Sequence, residues 1–189
     1  MTLTSANVRV AVTGAVYAAA SGATVTAPTS PTSALDTDLK DLGYLSEDGI
    51  EEDRDRSTED IKGHDGTVVR TVVTESSVKF KFTMIETKKE TLELFYGATA
   101  TEGATYGDIS INTSATGGRR AFVIDTIDGS DLIRRWIPEG ELSEVDTLTL
   151  ANGEPVGYAV TITGYPATTA QGVATDGDAF RIFTTALAS

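Results

Sequence analysis

Residues 67–85 read TVVRTVVTESSVKFKFTMI. In the second half Val78, Phe80, Phe82 and Met84 alternate with Lys79, Lys81 and Thr83, a period of two that puts apolar side chains on one face of a strand and polar ones on the other. The first half, TVVRTVVT over 67–74, is mostly β-branched, and such side chains fit a pleated surface better than a helix. Together the two halves predict an antiparallel sheet with one wet face.

The next segment changes period. In ETKKETLELFYG (86–97), Ile85 just before it, Leu92 and Tyr96 fall at helical spacing with Phe95 beside them, Thr87 and Glu90 have capping-box spacing, and Gly97 can close the C-terminus. One short amphipathic helix lying across the sheet is expected. Further strands are predicted at DISI (108–111), RRAFVIDTI (119–127), DLIRRWIP (131–138), ELSEVDTLTL (141–150), VGYAVTITGY (156–165) and FRIFTT (180–185). Asp128-Gly129 and Asn152-Gly153 supply turn signals between neighbours.

Upstream, VRVAVTGAVYAAA (8–20) alternates Val8, Val10 and Val12 with Arg9, Ala11 and Thr13, the pattern of a half-buried strand; Arg9, Thr13 and Gly14 interrupt the apolar run that an export leader would need. SGATVTAPTSPTS (21–33) predicts a flexible loop, because its prolines cannot donate to a ladder and its small polar side chains gain little by burial. Residues 36–60 hold eleven acidic and three basic side chains, so eight of the thirteen net negative charges fall within 25 positions. With Leu35, Leu39, Leu42, Tyr44, Leu45 and Ile50 in and beside this tract, residues 36–66 are expected to be a long acidic loop that orders against a partner.

Composition agrees with these elements. Thirty Thr, 15 Val and 11 Ile make 56 of 189 residues β-branched, which points to a mainly β fold: an antiparallel β-sandwich or partial barrel of eight or nine strands, one flanking short helix and long loops, in a single domain over 1–189. A net charge of −13 argues against a surface that grips phosphate. Cysteine is absent and histidine occurs once, at His64, which removes disulfides, thiolate chemistry and multi-His metal sites within one subunit. An EF-hand frame begun at Asp53 puts Thr58 where the turning glycine belongs and His64 where the bidentate glutamate belongs. His64 sits in KGHDG without a nucleophile elbow, and Trp136 follows Arg134-Arg135 within an apolar strand, where a lone aromatic is more often core than a stacking platform. No catalytic residue, cofactor or metal ion is expected, and the chain does not read as an enzyme.

The order of segments says more. DLGYLSEDGI (41–50), RDRSTEDIK (54–62), DGTVVRTVVTESS (65–77), ETKKETLELFYG (86–97), GGRRAFVIDTIDG (117–129), IPEGEL (137–142) and ANGEPVGYAVTITGYP (151–166) together resemble the major tail tube proteins of long, non-contractile-tailed (siphovirus-type) phages of actinobacteria. The resemblance covers about residues 7–166 and implies a β-sandwich or partial barrel whose copies form hexameric rings, closing inner strands into a larger β-barrel tube, with the rings stacked end to end. It implies a virion tail protein assembled in the host cytoplasm, with a tape measure protein inside the tube during assembly, tail terminator and baseplate or tip proteins at its ends, and DNA passing through at genome ejection without specific binding. An immunoglobulin-like C-terminal domain carried by some members is not expected in the 23 residues after Pro166.

Two sets of residues suit that role on physical grounds. Leu39, Leu42, Tyr44, Glu51, Glu52, Arg54, Asp55 and Arg56 combine apolar and oppositely charged side chains, as a ring-to-ring contact requires. Asp125, Asp128, Asp131, Glu139, Glu141 and Glu144 are candidates for an acidic lumen, which would repel DNA weakly everywhere and keep it from sticking. Two other readings fit the composition: a secreted β-sandwich binding or adhesion module, monomeric with exposed aromatics, and a tail terminator or adaptor that forms single rings.

Overall fold

The structure, a computed structural model, describes residues 8–114 and 116–185. Among these residues there are ten strands and one α-helix: β1 Thr13–Ala18, β2 Lys40–Asp41, β3 Leu45–Lys62, β4 Val68–Met84, α1 Lys89–Tyr96, β5 Ala100–Glu102, β6 Gly107–Ile109, β7 Arg120–Asp128, β8 Asp131–Val145, β9 Tyr158–Gly164 and β10 Arg181–Thr184. The main sheet runs β2-β1-β7-β8-β9-β4-β3, all neighbours antiparallel, with β10 also on β8; β5 and β6 form a small separate hairpin.

Strand β8 passes between two layers. Its first half, residues 131–137, pairs with β7 and β10, and its second half, 140–145, pairs with β9. Sheet I therefore comprises β2, β1, β7, the first half of β8 and β10; sheet II comprises the second half of β8, β9, β4 and β3. Phe80, Phe82, Met84, Val160 and Ile162 from sheet II meet Val16, Phe122, Ile124 and Ile137 from sheet I in one core. At roughly 1.5–3 kcal/mol for each large side chain buried, these contacts dominate the driving force for the sandwich. A second cluster, Ala19, Leu39, Ala121, Val123, Trp136 and Phe183, lies on the opposite face of sheet I, covered by Ala23, Val25, Ala27 and Leu35. The alternation of β7, with Phe122 and Ile124 facing one cluster and Ala121 and Val123 the other, follows from the two-residue period of the strand.

The structure corrects several sequence expectations. Residues 36–66 are not a long loop: 45–62 form an 18-residue strand, laddered to β4 from Leu45↔Met84 to Lys62↔Val68. Charged side chains on both faces hide this strand from a hydrophobic-periodicity test, Glu51, Asp53 and Asp55 on one and Glu52 and Arg54 on the other, while its backbone bonds to β4 regardless of what its side chains bury. Residues 131–138 and 141–150, expected as two separate strands, give instead one continuous strand, β8, which ends at Val145, and 146–150 lie outside any strand. Pro138, which has no N–H, falls at the register shift that carries pairing from Phe122↔Ile137 to Arg120↔Gly140, where it breaks no ladder bond. The Thr87 capping box does not form: α1 begins at Lys89 with no side-chain cap, and Thr87 Oγ1 lies 3.0 Å from the Tyr158 hydroxyl instead. Gly97 closes the helix in the left-handed region (φ 59°), as expected, and Leu94 and Phe95 anchor it in the core.

Segment 21–33 has no helix or strand, and it is fastened to sheet I. Arg134 Nη1 donates to the Ser33 carbonyl at 2.7 Å, and the Thr26 N–H donates to Asp36 at 2.8 Å. Trp136 is core, 1% exposed, with its indole N–H donating to the Gln171 carbonyl at 2.8 Å.

Candidate assembly surfaces

Sheet II leaves one face outside the core, and its residues align in rows across four strands. In register, Glu144 of β8 neighbours Thr161 of β9, then Lys81 of β4, then Glu51 of β3. In the second row Glu141 neighbours Thr163, then Lys79, then Asp53. Lys79 Nζ lies 3.1 Å from Glu144 and Lys81 Nζ lies 2.9 Å from Asp146. The result is a polar, net negative face without large apolar groups. Lys79 and Lys81 were legible as the wet side of the Val78–Met84 alternation, whereas Glu51 and Asp53 came to this face only through the unforeseen β3 strand.

Among the described residues both lateral edges of sheet II are open. The ladder of β3 is to β4, and β7 pairs with β8 only as far as Gly140, leaving 141–145 bonded to β9 on one side. An open edge is a row of N–H and C=O groups ready to pair with another chain.

The third surface is an arm. β9 pairs with β4 only from Val78 to Met84, so residues 55–77 of the β3–β4 hairpin are laddered to each other alone. The eight β3 residues of the arm, 55–62, at about 3.3 Å each carry it roughly 25 Å beyond the sandwich. Ile61, Val68, Val69 and Val73 are exposed along it, Val69 to 72%. At its base, Glu52 crosses the core side of the sandwich to Arg135 Nε at 2.7 Å, and the Arg54 guanidinium lies 5.8 Å from the centre of the Phe180 ring. These two contacts fix the direction in which the arm leaves the body.

The residues selected from sequence are distributed over different places. Leu39 and Leu42 are buried inside the subunit, Leu42 under the helix, where Thr91 Oγ1 donates to its carbonyl at 3.0 Å; neither is at the surface, as the contact expected of them requires. Tyr44 is exposed, Glu51 belongs to the polar face, Glu52 is paired with Arg135, and Arg54, Asp55 and Arg56 mark the base of the arm. Asp125 does not face solvent: it lies beneath segment 21–33, ion-paired with Arg134. Asp128 and Asp131 flank the β7–β8 turn, where they hold the Val10 N–H and Arg9. Glu139 and Glu141 share Arg119 at 3.9 Å, and Glu144 stands on the sheet II face.

Open grooves of about 620 and 710 Å³ flank the sandwich, one lined by Val12, Gly14, Tyr44 and Ile50, the other by Arg54, Val78, Pro166 and Phe180. His64 lines neither. Among the described residues no three His, Asp or Glu side chains converge as a metal-binding set, and no helix is long and apolar enough to cross a membrane.

A family model described as phage tail tube protein matches residues 1–175. The chain belongs to the phage tail tube protein family. A comparison with curated proteins returns no match. This tail tube protein is a structural component of the virion tail and assembles into it as an oligomer.

Proposed function

We propose that this chain polymerises as stacked hexameric rings into a tail tube of the siphovirus type, that it has no enzymatic activity, and that the tube is the conduit through which DNA is delivered. The observation that carries the reading is the pair of open edges on sheet II. The sheet has four strands of alternating direction, β8, β9, β4 and β3. When a rotated copy brings its β8 beside β3, the new pair is again antiparallel, so rotation about one axis continues the same ladder until the ring closes. Such a contact is heterologous and closes without leaving an edge. The polar face of sheet II then lines the bore, with Glu141 and Glu144 among the acids facing DNA.

Ring stacking falls to the arm. A two-stranded hairpin is marginally stable by itself in water, and a neighbouring ring that covers Val68, Val69, Val73 and Ile61 stabilises it. Tyr44, Arg54, Asp55 and Arg56 remain available to that contact. Head-to-tail stacking is open-ended, so a tape measure protein inside the tube sets its length, and terminator and tip proteins close its ends.

The test uses the absence of native cysteine. Within one subunit β3 and β8 are three strand spacings apart, about 14 Å, too far for a disulfide. In Asp53→Cys combined with Glu144→Cys or Glu141→Cys, oxidation of assembled protein is expected to give a ladder of covalent multimers ending at six. A chain that stays monomeric under all assembly conditions, or single rings that never stack, would contradict the proposal.

A further inference from the structure

We infer that unpaired carboxylates on the β3 edge hold back ring closure, so that the β3 to β8 seam between two copies forms readily only when their charge is screened or removed. This rests on the edge pairing proposed above. Lys81 and Lys79 stand opposite Glu51 and Asp53 in the β3–β4 ladder, yet both ammonium groups turn the other way across β9, to Asp146 at 2.9 Å and Glu144 at 3.1 Å. Glu51 and Asp53 are exposed, and among the described residues neither has a basic group within 4.0 Å. Lys81 attracts Glu51 only at longer range.

Among the described residues the opposite edge brings no spare positive charge. Glu144 is already matched by Lys79, Asp146 by Lys81, and Arg119 is shared between Glu139 and Glu141. Thr161 and Thr163 between them are neutral. When β8 of a second copy docks, Glu51 and Asp53 therefore meet Glu141 and Glu144 at cross-strand distance, where like charges oppose pairing. Charge on an edge strand is a general defence against indiscriminate pairing. Here it sets a threshold for the correct pairing as well, which keeps newly made subunits apart until many contacts form together on a growing tube. Cross-strand neighbours lie within the screening length of about 8 Å at 0.15 M salt, so only higher salt removes most of the repulsion.

The experiment measures the critical concentration for polymerisation of the full chain, by sedimentation and negative-stain microscopy, at 0.05 M and 1 M NaCl. At low salt Glu51→Gln with Asp53→Asn is expected to lower it by about tenfold, and the gap from wild type should close at high salt. Lys79→Met, which leaves Glu144 unmatched, should raise it. Circular dichroism confirms that each variant is folded. Equal critical concentrations for all three proteins, or wild type assembling less readily at high salt, would overturn the inference. If the seam cysteines still cross-link in that case, the tube reading survives without the charge threshold; if they do not, the edge pairing itself is wrong.

Discussion

Arg134 and Asp125 form a two-point ion pair on the covered face of sheet I, Nε to Oδ1 at 2.8 Å and Nη2 to Oδ2 at 2.7 Å, with side chains only 7% and 8% exposed. The remaining guanidinium nitrogen reaches the Ser33 carbonyl, so one residue joins β8, β7 and the segment that covers them. Removing one partner leaves the other charge buried and unmatched, which typically costs about 3–5 kcal/mol. Asp125→Ala is expected to lose stability on that scale in denaturant unfolding, and hydrogen exchange should rise across 23–35 before the rest of the chain.

Trp136 is the only tryptophan and reports on the same layer. Its buried ring predicts blue-shifted native emission that moves to the red on unfolding. Trp136→Phe strands the Gln171 carbonyl and is expected to cost about 1–3 kcal/mol, a fall of roughly 2–4 °C in Tm per kcal/mol for a chain of this size.

Gly140 stands where β8 leaves sheet I for sheet II. A Cβ there would lie 2.5 Å from Phe122 Cδ2, and that ring is fully buried. Gly140→Ala should therefore destabilise by about 1–3 kcal/mol through overpacking, with no effect on backbone strain. A melt of the purified variant checks this, and unchanged Tm would mean that the ring has room to move.

The elements that were legible before the structure are those whose side chains sort by face. Val78 to Met84 carry their burial in their alternation, and Ala121 to Ile124, buried on both faces, in an unbroken apolar run. β3 does not, because Glu51, Asp53 and Asp55 face solvent while Glu52 and Arg54 sit on the core side through an ion pair and a ring contact rather than through apolar packing. The burial of Leu39 and Leu42 depends on chain reversal: the Leu42 N–H donates to the Val16 carbonyl at 2.9 Å, a contact 26 positions away that no local pattern announces. Asp125 looked like a surface acid because its partner lies on the neighbouring strand. The polar face was half visible, in Lys79 and Lys81, and half hidden with β3.

Acid should loosen the loops before the sandwich. Backbone N–H donation holds the carboxyl of Asp36 below its ordinary range, from Thr26 and Asp38, and that of Asp176 likewise, from Thr169. Hydrogen bonds from the Thr67 side chain and N–H do the same for Asp65 in the arm turn. A depressed folded-state pKa means a contribution that is complete above the unfolded value, near 3.8, and is lost as pH falls below it. Tm is expected to drop as pH is taken from 5 to about 2.5, less steeply in Asp36→Ala.

The exposed valines of the arm separate stability from assembly. Val69→Ser with Val73→Ser should change monomer stability by within about 0.5 kcal/mol each, as surface substitutions do. Stacking should suffer much more, leaving rings or short stacks in negative stain where wild type gives long tubes. Equal tube lengths would remove the arm from the stacking contact.

The most direct measurement is electron cryomicroscopy of the assembled tail at a resolution that traces strands. The expected map has β3 of each copy hydrogen-bonded to residues 141–145 of the next, with Lys79, Lys81, Glu141 and Glu144 facing the bore. A wall closed through other edges, or one whose bore is lined by sheet I and the 21–33 segment, would contradict it.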